Sequence, residues 1–183
     1  DVDPARVAAM IVEPVQGEGG FNVAPFEWLQ GLRAICDQHG ILLIVDEIQT
    51  GFARTGKMFA VEHSGVAPDL MTTAKSLAGG YPLSAVTGRK AVMESAAPGG
   101  LGGTYAGSPF ACAAGLAVLD VIAEDKLIER ANAIGGRIKT RLEAMAGRNT
   151  FTCIGDVRGL GAMVAMELVK DRDTREPAPA LTK

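Results

Sequence analysis

The stretch Ile41-Leu-Leu-Ile-Val-Asp-Glu-Ile-Gln49 decides the architecture. Ile41 to Val45 is an unbroken apolar run, short and rich in branched side chains. That predicts a strand buried on both faces of a parallel sheet. Upstream, Pro25 opens a predicted helix through Phe26, Trp28, Leu29, Leu32 and Ile35, with Gly40 as its stop. Val7 to Val15 predicts an earlier strand, ended by Pro14 and Gly17-Glu-Gly-Gly20. Downstream, Leu70 to Thr73 and Ala85 to Gly88 are shorter strand candidates. Strand, helix, strand in this order implies an α/β fold with a mostly parallel central sheet and right-handed crossovers.

Beyond that sheet, Pro98 to Gly107 reads as a glycine-rich loop, and Ala111 to Ala123 and Leu127 to Met145 carry helical periodicity. Asp120, Glu124, Asp125 and Lys126 mark a solvated junction between the two helices. Gly155 to Leu168 reads as a turn followed by a new strand, which places a domain change near residue 150, with units 1–150 and 151–183. The polar, proline-containing tail from Asp171 to Lys183 carries no fold signal.

The bulk numbers bound the function. The chain has 183 residues, 48% hydrophobic and 21% charged, which suits a globular protein and argues against disorder. A net charge of −3 without a basic run excludes nucleic acid as an expected partner. No apolar run approaches membrane length, and no secretory signal stands at the start, so a cytoplasmic location is expected. The first residue is Asp1, and the absence of an initiator Met suggests an internal piece of something longer. Cys36, Cys112 and Cys153 are odd in number and lack a CxxC, which fits a reducing compartment. His39 and His63 are isolated, so no metal site is expected.

Two nucleotide motifs fail. Gly51-Phe-Ala-Arg-Thr-Gly56-Lys57-Met58 imitates a phosphate loop, but Met58 cannot hold magnesium as Ser or Thr would. Its order relative to the acidic strand is also wrong for that class. Gly17-Glu-Gly19-Gly-Phe-Asn22 lacks the third glycine of a dinucleotide fingerprint. Asp46 and Lys75 are the stronger signals. Ligands of open α/β sheets bind beyond the carboxyl ends of strands, and Asp46 ends one strand while Lys75 follows another, 29 positions later. A carboxylate and an amine at neighbouring strand ends could grip one flat, nitrogen-containing cofactor from two sides. Spacing alone leaves open a turn-capping Asp and an exposed loop Lys. Lys57 and Lys90 compete with Lys75, but neither follows an apolar strand.

Four ordered motifs carry a resemblance. EPVQGEGG (Glu13 to Gly20), ILLIVDEIQTGFARTG (Ile41 to Gly56), PDLMTTAKSLAGGYPL (Pro68 to Leu83) and GGLGGTYAGSP (Gly99 to Pro109) are similar to the class III, or ω-amino-acid, aminotransferases, above all to the 4-aminobutyrate branch. The resemblance implies the type I transferase fold, pyridoxal 5'-phosphate as cofactor and a homodimer or dimer of dimers. It implies that Lys75 bonds the cofactor aldehyde and that Asp46 pairs with the ring nitrogen, making the ring an electron sink. Gln49 would meet the ring 3-hydroxyl, Ile48 would pack on the ring face, and Thr104 would bind the phosphate, usually of the neighbouring subunit. Glu18 matches a carboxylate that can mask a C-terminal arginine, whose position would lie beyond residue 183, and Glu13 would be structural or near substrate. The implied reaction joins an ω-amino acid such as 4-aminobutyrate to 2-oxoglutarate and yields succinic semialdehyde and glutamate. Ornithine, acetylornithine or 5-aminovalerate as donor, an isomerisation, or a non-catalytic folding or dimerisation unit are the other readings. Family members are more than twice this long, so the piece alone is expected to hold cofactor weakly and turn over little.

Overall fold

The computed structural model describes residues 2–182; Asp1, in the predicted first unit, and Lys183, at the end of the predicted tail, lie outside them. Four strands form the main sheet: β1 (Ala9–Val12), β4 (Leu42–Asp46), β5 (Leu70–Thr73) and β6 (Ala85–Gly88), in the order β1-β4-β5-β6. The pairs β1–β4 and β4–β5 are parallel, and β5–β6 is antiparallel. The predicted strand over Val7 to Val15 splits into β1 and the two-residue β2 (Val15–Gln16), which pairs with β3 (Asn22–Val23). Pro14 stands at the break, as a residue with no backbone N–H should.

Helix α1 (Phe26–His39) begins at Pro25 and stops where Gly40 takes a left-handed φ of 67°. There the Gly40 and Ile41 amides both donate to the Cys36 carbonyl, closing the last turn. The helix buries Leu29 and Cys36 against Ile41, Leu43 and Val45, and this is the largest core cluster. The expectation that Ile41 to Val45 is buried on both faces is corrected: burial alternates along β4. Register sets Ile11 beside Ile44, Ile44 beside Leu70 and Thr72 beside Val86, so these side chains share the face away from α1. On that face Ile11 is 61% and Val86 51% exposed.

Helices α2 (Lys90–Met93), α3 (Pro109–Glu124) and α4 (Leu127–Ala146) follow, with residues 98–107 between α2 and α3 forming exposed turns. The expected turn and single following strand within Gly155 to Leu168 are corrected to a hairpin of two strands, β7 (Ile154–Leu160) and β8 (Met163–Leu168). Its turn is Gly161-Ala162, and Gly161 has a φ of 53°. An added Cβ at Gly161 would lie 2.3 Å from the Thr55 backbone, and one at Gly135 of α4 would lie 1.6 Å from the Gly161 carbonyl. Glycine here permits backbone-to-backbone contact between α4, the hairpin and the loop after β4. The tail folds back through a bridge between Val169 and Pro177 and a short 3₁₀ turn, Pro179–Leu181. All three cysteines are free. His63 stacks on Phe26 at 6.0 Å and its Nε2 meets the Thr55 carbonyl at 3.0 Å. No helix of the described residues is long and apolar enough to cross a membrane.

Asp69 ties down the amino end of the sheet. Its buried carboxylate accepts from the Leu43 amide at 2.8 Å, Arg33 Nη1 at 2.7 Å and Arg89 Nη1 at 2.8 Å. Burial pushes this carboxyl up, but the Leu43 amide and the Arg89 and Arg33 guanidiniums outweigh it, and the pKa falls from 3.8 to about 2. A depressed carboxyl pKa gives stability that is full above the unfolded value and is lost as pH falls through the folded one. Asp69→Asn should therefore cost about 3 kcal/mol at pH 7 by urea denaturation, since it leaves the partly buried Arg33 with only Asp37 as a charged partner. The gap to wild type should narrow as pH falls from 4 to 2, and a pH-independent gap would remove the ionised carboxylate as its cause.

Candidate active site

Strands β4 and β5 run parallel with Asp46 in register with Thr72, and the ladder continues as the Glu47 amide donates to the Thr72 carbonyl at 2.9 Å. Asp46 and the chain leading to Lys75 therefore leave the sheet at the same carboxyl edge. Asp46 Oδ1 accepts from the Ile48 amide at 2.9 Å, a turn cap. Oδ2 has no hydrogen bond among the described residues. The capping and cofactor readings thus use different oxygens of one half-buried carboxylate.

Glu47 points the other way and is fully buried. Its carboxylate accepts from the Val61 amide at 2.7 Å, the Ala60 amide at 3.0 Å and the Thr50 hydroxyl. Burial pushes its pKa up against the pull of those three bonds. They anchor the loop that carries Ile48 and Gln49 to residues 60–61.

The turn from Gly17 to Gly20 lies over Gln49. Glu13 Oε2 accepts from the Gly17 amide at 2.8 Å, so Glu13 shapes this turn. A Cβ on Gly17 would sit 1.8 Å from Gln49 Oε1, so a side chain there would displace that amide. Lys75 opens a 3₁₀ turn, Lys75–Ala78, with a left-handed φ of 49°. A non-glycine residue in this region is uncommon and clusters at functional sites. Next to it, Ser76 Oγ accepts from Arg54 Nη2 at 2.7 Å, and the Arg54 carbonyl accepts from the Ala162 amide at 3.0 Å.

A cleft of about 200 Å³ is lined by Phe21, Gln49, Arg54, Lys75, Ala162 and Met163. Of the predicted set, Gln49 and Lys75 meet in this cleft; Asp46 and the half-buried Ile48 lie on the chain leading into it. Glu18 and Thr104 sit on exposed loops outside it. A larger groove of about 1160 Å³ runs along α4 from Asn132 and past its end to Phe151, and contains none of the predicted residues. Phe21, Arg54, Ala162 and Met163 were not legible as site residues. Arg54 lay inside the stretch read as a failed phosphate loop, and Ala162 and Met163 belong to a hairpin read as one strand. The glycine pair before Phe21 was the one available signal, since it announces an unusual backbone.

The donor set fits a flat heterocycle carrying an aldehyde and a basic nitrogen: an amine, a side-chain amide and a carboxylate with one oxygen unused. Comparisons with known proteins agree with that chemistry. The family model for aminotransferase class-III matches residues 1–183. A 5-aminovalerate aminotransferase of Pseudomonas aeruginosa is 58% identical over 181 residues, covering 99% of this chain and 42% of the relative. A 4-aminobutyrate aminotransferase of Escherichia coli is 55% identical over 182 residues, covering 100% of this chain and 42% of the relative. The crystal structure of the ornithine aminotransferase from Toxoplasma gondii superposes with a TM-score of 0.86 at 41% identity, covering 93% of this chain and 40% of that one. The chain spans about 42% of the length of these curated relatives. With the family model matched from end to end, this chain belongs to the class III aminotransferases.

Proposed function

We propose that this segment is the cofactor-gripping part of a pyridoxal 5'-phosphate-dependent transaminase. Its donor would be 4-aminobutyrate or the one-carbon-longer 5-aminovalerate, and its acceptor 2-oxoglutarate. The observation that carries this reading is the convergence of Lys75 and Gln49 on one cleft at the strand edge where Asp46 keeps an oxygen unused. When bound, the cofactor supplies an aldehyde for amines and a ring that accepts electrons from the substrate carbon.

The protein's own groups divide the remaining work. Asp46 Oδ2 would hold the proton on the ring nitrogen, while the Ile48 amide fixes the carboxylate through Oδ1. The Gln49 amide, beside Gly17, would reach the ring 3-oxygen. Ile48 would pack against the ring face. Lys75 Nζ would bond the cofactor aldehyde at rest. When free, its amine would take the proton from the amine-bearing carbon as general base and carry it as general acid to the former aldehyde carbon. Thr104 stands on the exposed 98–107 loop away from the cleft, which supports assigning its hydroxyl to the phosphate of a second copy's site. Glu18, exposed on the 17–20 turn, is assigned to an arginine that changes partners between donor and acceptor. The hairpin after residue 150 is taken as the opening of a smaller C-terminal domain, and the assembly as a cytoplasmic homodimer.

Borohydride reduction of the intact protein with pyridoxal phosphate, followed by peptide mass analysis, should place one reduced adduct on Lys75, and Lys75→Ala should lose it while keeping its circular dichroism. An adduct elsewhere, or unchanged turnover in Lys75→Ala, overturns the assignment. Asp46→Ala should lower kcat about 1,000-fold, as loss of a preorganised charge does; a loss under tenfold removes Asp46 from this role.

Gly17→Ala should displace the Gln49 amide and weaken cofactor binding roughly tenfold in equilibrium dialysis, the size of one lost hydrogen bond. Unchanged affinity would show that Gln49 does not touch the cofactor.

A further inference from the structure

We infer that Phe21 is the substrate-facing wall of the cleft and that Arg158 is the positioning residue holding it there, so that the pair sets which chain length of ω-amino acid fits. The inference rests on the aminotransferase reading above and extends it to donor choice.

Phe21 has a φ of 57°, directly after Gly20 at 103°. Glycine takes such angles freely, but a bulky aromatic residue does so only where its surroundings over-determine it. Two contacts do so here. The Phe21 amide donates to the Gln16 carbonyl at 2.8 Å, closing the turn from within. From outside, Arg158 Nε donates to the Gly20 carbonyl at 2.8 Å. The guanidinium is itself fixed, because Nη1 donates to Asp156 Oδ2 at 2.8 Å and Glu167 Oε2 at 2.6 Å, and those carboxylates face each other across the hairpin. Two carboxylates already engage Arg158, which argues against its taking a substrate carboxylate. Its remaining role is mechanical: it joins β7 to the peptide bond that aims Phe21.

The consequence lies in the cleft. Phe21 packs in the cluster containing Met163 and Val15 and lines the cleft beside Ala162 and Met163, while Lys75 and Gln49 supply its polar side. A methylene chain with its amine directed at Lys75 matches that division between apolar wall and polar floor. A hydrophobic pocket separates substrates differing by one methylene by roughly 10- to 200-fold. The depth at which Phe21 is held is thus sufficient to rank four-, five- and six-carbon donors.

The test uses the intact protein loaded with pyridoxal phosphate. Phe21→Ala should raise the ratio of kcat/KM for 6-aminohexanoate over 4-aminobutyrate about tenfold, mainly through KM. Arg158→Ala should move the ratio the same way and speed hydrogen exchange in residues 16–24. If Arg158→Ala does not fold, Arg158→Lys keeps a cation beside Asp156 and Glu167 but removes the Nε donor to the Gly20 carbonyl. A ratio changed less than twofold in Phe21→Ala overturns the wall. Equal losses for all donors in the clamp variant, with the ratio unmoved, overturn the positioning role and leave Arg158 merely structural. Borohydride trapping on Lys75 separates the two levels. An adduct in wild type and Phe21→Ala with an unmoved ratio sinks this inference alone, whereas no adduct in wild type sinks the aminotransferase reading and this inference with it.

Discussion

The parallel pairing of β4 with β5 is the constraint on which the site depends. Its register is pinned at both ends by different chemistry. At the amino end, Asp69 bonds the Leu43 amide through its side chain and the Leu43 carbonyl through its own amide, at 2.8 and 2.9 Å. At the carboxyl end, the Glu47 amide extends the ladder to Thr72 at 2.9 Å. A slip of one residue would turn Asp46 to the α1 face and drive Glu47 out of its buried nest of amides. The pairing thus brings a carboxylate and an amine 29 residues apart to one edge, with neither touching the other.

Two of the six non-glycine residues with left-handed angles among the described residues line the proposed cleft. Lys75 and Phe21 both hold left-handed angles, and both are flanked by arginines that fix a neighbouring atom: Arg54 on Ser76 and Arg158 on the Gly20 carbonyl. Each strained position costs on the order of 1–3 kcal/mol and persists only under external support. That support comes from the far end of the chain. The hairpin turn at Gly161-Ala162 bonds Arg54 through its backbone and closes on Gly135 of α4. The C-terminal hairpin is therefore part of the cleft's scaffold, and Met163 is part of its lining.

Periodicity and turn residues made most of the fold readable. Leu70–Thr73 and Ala85–Gly88 fall where their composition puts them, and α1 starts at a proline and stops at a glycine as expected. The errors share one origin, since local pattern carries no information about what covers a face. The run from Ile41 to Val45 has the composition of a doubly buried strand, yet α1 packs on only one side of it. Local pattern shows a turn and one strand where the structure has a hairpin, because Gly161-Ala162 becomes an effective turn only where backbone contact with Thr55 demands a residue without a side chain. In the site, residues with reactive groups were legible. Phe21 and Arg158 were not, because an aromatic wall and its clamp are defined by contacts spanning 138 residues of sequence.

The adjacent carboxylates Asp46 and Glu47 show how position, rather than residue type, divides roles. Alternation at the end of the strand leaves Asp46 half-buried on one face and turns Glu47 into the interior. Glu47, with its pKa raised by burial, contributes stability fully below its unfolded pKa and loses that contribution as pH rises through the folded one. Asp69 behaves in the opposite sense, losing its contribution as pH falls toward about 2. Burial disfavours the charge on Glu47, and its three hydrogen bonds offset that cost only in part. The protein retains Glu47 because the same bonds fasten the turn bearing Ile48 and Gln49 to residues 60–61. An apolar side chain at position 47 would relieve the burial of charge but leave the Ala60 and Val61 amides without acceptors, and the loop that aims Gln49 would lose its anchor.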